Sequence, residues 1–149
     1  MIIRKNNIMI LFTVLILSSC SVEPQPINYG SDACEFCKMT IVENRWAAEI
    51  VTEKGKAYKY DAIECMMNYM NRNDIESDGL ALLLVDDYSQ PAVLIDATKA
   101  TYIKSEAIPS PMGAFLSAFK NADDADATVK EKGGQVFDFQ ELKSRYEVK

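Results

Sequence analysis

Two thiols and a thioether fall within six residues, Cys34-Glu35-Phe36-Cys37-Lys38-Met39. Turn formers lead in (Gly30-Ser31-Asp32-Ala33) and β-branched residues lead out (Thr40-Ile41-Val42), so the sulfurs crowd a partly exposed loop that runs into a strand. Thiolate together with thioether suits Cu(I), whereas Zn(II) takes thiolate, imidazole or carboxylate. The chain of 149 residues contains no histidine. The imidazole on which most zinc and Cu(II) sites depend is therefore missing, and any metal must be held mainly by sulfur. Cu(I) is the expected ion. Cys-x-x-Cys alone also serves zinc sites and thioredoxin-type redox pairs. Met39 tilts the reading toward copper, because neither of those uses calls for a thioether. Packing is its other reading, as the first inward residue of the strand it begins.

The chain opens with a leader at residues 1–19. Arg4 and Lys5 form a positive n-region, and residues 8–17 make an apolar run too short to span a bilayer comfortably. Leu17-Ser18-Ser19-Cys20 then matches the lipobox of bacterial lipoproteins, in which the cysteine becomes the lipidated first residue. The rival is an uncleaved signal anchor, or a leader cut elsewhere, which leaves Cys20 free. With Cys20 acylated, Cys34, Cys37 and Cys65 remain, an odd number for a disulfide framework in an oxidising compartment. The expected location is the cell envelope, on the periplasmic side. Ser21 is not the aspartate that retains some lipoproteins at the inner membrane, which points to the outer one. Net charge is −6, becoming −8 once Arg4 and Lys5 leave, and no Lys/Arg cluster survives. That balance argues against nucleic acid and against an electrostatic hold on anionic lipid.

Residues 20–29, with Pro24 and Pro26, read as an anchor and extended tether, and residues 30–149 as one domain with a single core. Around Gly55 the pattern is a hairpin, residues 46–52 against 57–60. Asp61-Ala62-Ile63-Glu64 reads as a capping box opening a helix to about Met70, whose stripe Ala62, Met66, Tyr69, Met70 assigns Met66 and Met70 to the core. Strands are expected at 80–85, 92–95, 101–103 and 135–137. Further helices are expected at 112–120, at 121–132 as helix or acidic loop, and from the capping signature Asp138-Phe139-Gln140-Glu141 to about Tyr146. Trp46 is assigned to the core. The class is α+β, mostly antiparallel. One echo hints at two similar halves: Glu53-Lys54-Gly55 leading to Asp61-x-x-Glu64, and Glu131-Lys132-Gly133 leading to Asp138-x-x-Glu141.

Two more sulfurs are candidates. Met112, between Pro111 and Gly113, stands at a rigid, open position, or else packs on Phe115 or Leu116. Cys65, in the first turn of its helix and off the stripe, either ligates or exchanges, or is a half-buried small residue, the reading preferred.

The leader, the Cys-x-x-Cys-x-Met-x-Ile block from Cys34 to Ile41, Tyr60-Asp61-Ala62-Ile63-Glu64-Cys65 and Ser110-Pro111-Met112-Gly113 together resemble the NosL family of copper-binding lipoproteins, accessory proteins of nitrous-oxide reductase assembly. The resemblance covers nearly all of the chain after the leader. It implies a duplicated ββαβ-type fold and Cu(I) on Cys34, Cys37, Met39 and Met112, with Cys65 an additional candidate. Many members carry a histidine between the second cysteine and the methionine; Lys38 stands there, so no imidazole ligand carries over. The implied function is that of a lipid-anchored metallochaperone, not an enzyme, delivering copper to an envelope enzyme, nitrous-oxide reductase by resemblance, with a copper exporter as a further partner. Two alternatives remain open: a Cys34/Cys37 thiol-disulfide oxidoreductase, which lacks the Trp-Cys-x-x-Cys context and an adjacent βαβ pattern, and a zinc-stabilised module on Cys34, Cys37, Cys65 and a carboxylate.

Overall fold

The computed structural model describes residues 22–146. The leader and Cys20 lie outside the described residues. Elements run β1 (Ala48–Val51), β2 (Ala57–Tyr60), α1 (Ile63–Arg72), a 3-10 turn (Ser77–Gly79), β3 (Leu82–Asp87), β4 (Gln90–Asp96), β5 (Thr101–Lys104), β6 (Leu116–Phe119), α2 (Ala122–Lys132), β7 (Gln135–Phe137) and α3 (Phe139–Tyr146). One seven-stranded sheet results, in the order β2-β1-β3-β6-β5-β7 with β4 on β3.

The class is α+β, and the two halves are present. In β1-β2-α1-β3 the first strand is central, antiparallel to both others; β5-β6-α2-β7 repeats that arrangement. The halves join through a parallel bridge between Asp87 and Ala118. The echo in the sequence is out of step with this repeat, however. Its first copy spans the β1–β2 turn to α1 and its second the end of α2 to α3, elements that do not correspond.

The helix expected at 112–120 is instead a turn followed by β6. Phe115, Leu116 and Phe119 suggest a helical face, but Gly113 and Phe115 both take positive φ, 78° and 61°, which ends any helix there. Beyond them the period is two: Leu116 and Ala118 face the main core, while Phe119 enters a second cluster with Ile103, Ile108 and Ala125, and Ser117 accepts the Trp46 indole N–H at 3.1 Å. A strand buried on both faces loses its polar alternation and mimics a helical run.

The two capping signatures diverge. At α3 the box closes as expected, with Glu141 N–H donating to Asp138 Oδ1 at 2.9 Å and Asp138 N–H to Glu141 Oε2 at 3.2 Å. At α1 it does not, because the capping position falls on Ala62, with no side-chain bond. Asp61 and Glu64 are both buried, and Glu64 turns to a distant loop. Met66 and Met70 lie in the core as read, and Tyr69 seats α1 on β2 against Tyr58 and Tyr60, ring centroids 5.8 and 5.4 Å away.

The segment expected to hang free is fastened from Gln25 onward. Gln25 N–H donates to Glu49 Oε1 at 2.8 Å, Lys59 Nζ to the Pro26 carbonyl at 2.5 Å, and the Tyr29 hydroxyl to Asp86 at 2.9 Å, while Ile27 and Tyr29 pack on the core. These contacts explain two acids on interior strands, Glu49 and Asp86, both fully buried. Burial pushes the Asp86 carboxyl up to about 6, from 3.8, despite the Tyr29 and Ala47 donors. A carboxyl raised by folding holds more protons folded than unfolded, so its contribution to stability is greatest below the unfolded value and falls as pH rises toward 6. Lowering the pH from 7 to 4 should therefore stabilise the wild type relative to Asp86→Asn by about 2–3 kcal/mol, measured as the difference between their denaturation midpoints at each pH; parallel pH profiles would refute it.

Candidate metal centre

The 34–39 turn is the tip of a small hairpin. Gly30 N–H donates to the Ile41 carbonyl at 2.7 Å and Ile41 N–H to Asp32 at 2.8 Å; Ala33 and Thr40 bridge, and Cys34 N–H reaches the Met39 carbonyl at 2.8 Å. Lys38 completes the turn at φ 64°, the left-handed region. Two bonds fasten this hairpin to β2: Glu35 N–H to the Lys59 carbonyl at 2.8 Å and Lys59 Nζ to Asp32 at 2.6 Å. On its other side, Phe36 lies under the Arg72 guanidinium at the end of α1, 4.9 Å from ring centroid to Cζ. The hairpin thus lies against α1, and its cysteines meet Cys65 in the first turn of that helix.

In consequence Cys34, Cys37 and Cys65 place their sulfurs within 4.8 Å of one another, all three as free thiols. Cys34 and Cys65 are fully buried and Cys37 is half-buried. The loop is accordingly less exposed than its polar surroundings suggest. Three thiolates at about 2.3 Å from one ion stand roughly 4 Å apart, so small side-chain rotations close the group. Among the described residues no carboxylate oxygen joins these sulfurs within that distance.

The three thiols differ in acidity. Cys34 is held down to about 5, chiefly by the hydrogen bond from Cys65, then by backbone N–H groups of Cys37, Asp61 and Phe36, against the opposing effect of burial. The Cys37 N–H lies 3.5 Å from its sulfur. Cys65, donating that bond and buried, is pushed strongly up, and Cys37 is raised, first by burial. At neutral pH the group therefore carries one thiolate with two thiols around it, a preformed negative centre for a soft cation. The Asp61 carboxyl is raised, first by burial and next by the Cys34 charge.

Met39 and Met112 are not packed away, being 57% and 41% exposed. Met39 continues the cysteine turn. Met112 sits at the crest of the turn at 110–113, closed by Gly113 N–H to the Ser110 carbonyl at 3.0 Å, and Glu64 ties this turn to the first turn of α1, next to Cys65. Cys65 is the residue that sequence reasoning undervalued. Its signal was an odd third thiol placed off the apolar stripe at a helix start.

An α+β scaffold that gathers three thiols, without imidazole, at the start of a helix defines a soft-metal-binding domain. The chain belongs to the NosL family, whose family model matches residues 26–147. The copper-binding lipoprotein NosL of Stutzerimonas stutzeri is 27% identical over 128 residues, covering 82% of this chain and 67% of that protein. The crystal structure of the copper chaperone NosL from Shewanella denitrificans shares the fold, with a TM-score of 0.69 at 21% identity over 80% of this chain and 95% of that one. Neither relative bears the name of an enzyme. Among the described residues no helix is long and apolar enough to cross a membrane.

Proposed function

We propose that this protein is a lipid-anchored Cu(I) chaperone of the bacterial envelope. The observation that carries the reading is the group of three thiols within 4.8 Å in a chain without histidine; Met39, two residues past Cys37, and Met112 add exposed thioethers. Sulfur-only donor sets of this kind select Cu(I). Cys34, Cys37 and Cys65 bind the ion from inside, and Met39 and Met112 offer exchangeable sulfur at the surface. A mixed set of buried and exposed donors lets an incoming ligand open the site one bond at a time, which transfer requires.

The two relatives, a copper-binding lipoprotein and a copper chaperone, support the same reading. Cys20 carries the lipid and holds the protein at a membrane facing the periplasm, the outer one favoured by Ser21. Acyl mass on Cys20 of the native protein is the expected result, and its absence refutes the anchor. Copper comes from an exporter and goes to an envelope copper enzyme, nitrous-oxide reductase by the family resemblance.

In a competition between Cu(I) and Zn(II) under reducing conditions, the full-length chain in detergent should retain Cu(I). Because Cys37 and Cys65 are raised while Cys34 is already ionised, binding through all three releases two protons, and the apparent affinity should rise with pH between 6 and 8. Zinc binding as tight as copper would sink the assignment in favour of a structural zinc module.

A further inference from the structure

We infer that Glu64 is a positioning residue that clamps the turn carrying Met112 to the first turn of α1, next to Cys65. This rests on the reading of Met112 as a copper ligand. Glu64 is in the first turn of α1 and only 4% exposed. Its Oε1 accepts from the Ser110 hydroxyl at 2.7 Å and from Ala114 N–H at 3.2 Å. The Ser110 oxygen in turn accepts Phe115 N–H at 2.9 Å. Since the Ser110 proton goes to Glu64 and its lone pair to Phe115, the hydroxyl is fixed in both roles. One carboxylate oxygen and one hydroxyl thus tie down residues on both sides of Met112.

The turn needs such a hold. Gly113 and Phe115 take φ of 78° and 61°, and a left-handed conformation at a bulky residue persists only where surrounding contacts impose it. Met112 itself contributes little anchorage, because it is 41% exposed. Stability alone does not recommend a buried carboxylate here. Its partners are neutral, and among the described residues Oε2 has no hydrogen-bond partner, an arrangement that costs more than an apolar or amide side chain would. What the carboxylate provides is a short, two-armed link from α1 to the turn. The residue after it is Cys65, so the first turn of α1 places a buried sulfur and, through the adjacent side chain, holds the loop carrying an exposed one. Groups that orient a metal ligand in this way are commonly worth about 10–100-fold in metal affinity.

The experiment is a double-mutant cycle on the full-length, reduced chain in detergent, reading Cu(I) affinity by competition with a chromogenic Cu(I) chelator and thermal stability in parallel. Ser110→Ala should weaken Cu(I) binding about tenfold or more. Glu64→Gln should weaken it less, since its amide oxygen still accepts from Ser110 and Ala114. In a Met112→Ile background neither substitution should weaken binding further. Equal losses in both backgrounds assign Glu64 and Ser110 a structural role only and overturn the inference, as does the absence of any loss from either variant. If Met112→Ile alone leaves affinity unchanged, the ligand reading of Met112 fails and the clamp with it, while the three-cysteine site stands or falls separately on its own variants.

Discussion

Cys34→Ser is expected to abolish tight Cu(I) binding, with a loss beyond the roughly 100-fold that an orienting group commands. Cys34 is the one thiol of the three already ionised at neutral pH, held to about 5 by the Cys65 hydrogen bond and backbone N–H groups. A serine there presents a neutral, hard oxygen where the site has its preformed charge. Cys37→Ser and Cys65→Ser also remove sulfur but leave that thiolate in place, so their losses should be smaller. A second signature accompanies the affinity. The absorbance of the thiolate should titrate near pH 5 in the wild type, move upward in Cys65→Ala, which removes the donor, and vanish from that range in Cys34→Ser. Because Cys34 is fully buried in the main cluster, the variant should also lose about 1–2 kcal/mol of stability, a cost not expected of a loop residue in solvent. Cys34→Ser that binds Cu(I) like wild type would remove Cys34 from the ligand set.

Phe119→Ala should produce the largest loss of stability, about 3–5 kcal/mol, with the copper affinity of the folded protein unchanged. Phe119 is 1% exposed and belongs to the second apolar cluster, against Tyr88 at 5.4 Å between ring centroids, whereas Cys34 and Cys65 belong to the first. Removing the ring leaves a cavity that a central strand cannot collapse to fill, since Leu116, Ser117 and Ala118 beside it are also buried. The melting temperature should fall by roughly 10–20 °C. A comparable fall in Cu(I) affinity measured well below the melting point would show that the two clusters act as one unit.

The contrast between these substitutions marks how much was legible in the residues themselves. The Cys34/Cys37 pair is local, three residues across a turn, and the chain reaches its geometry through bonds spanning five residues or fewer, such as Cys34 N–H to Met39. The α3 capping box and the β1–β2 hairpin are readable for the same reason. The strand at Leu116–Phe119 was not, because a strand covered on both faces carries an apolar pattern that a helix shares. The α1 capping box is absent because the helix begins one residue late, with Ala62 at the cap, and Glu64 instead meets Ser110, 46 residues away. Likewise Glu49 and Asp86 gave no sign of being buried, since what covers them is the segment read as a free tether.

The sequence by itself determined the donor chemistry, sulfur with no imidazole, along with the Cys-x-x-Cys turn and the α+β class, because all of these depend on residue identity and short-range periodicity. Only the tertiary structure decided that Cys65 joins that turn, that Glu64 holds the Met112 loop, and that Met39 and Met112 remain at the surface. The first of these follows from the hairpin being fastened to β2 through Lys59 while Tyr69 seats α1 on the same strand. Both attachments link residues distant in the chain, and whether such groups meet is settled by how the whole core packs rather than by any stretch of sequence.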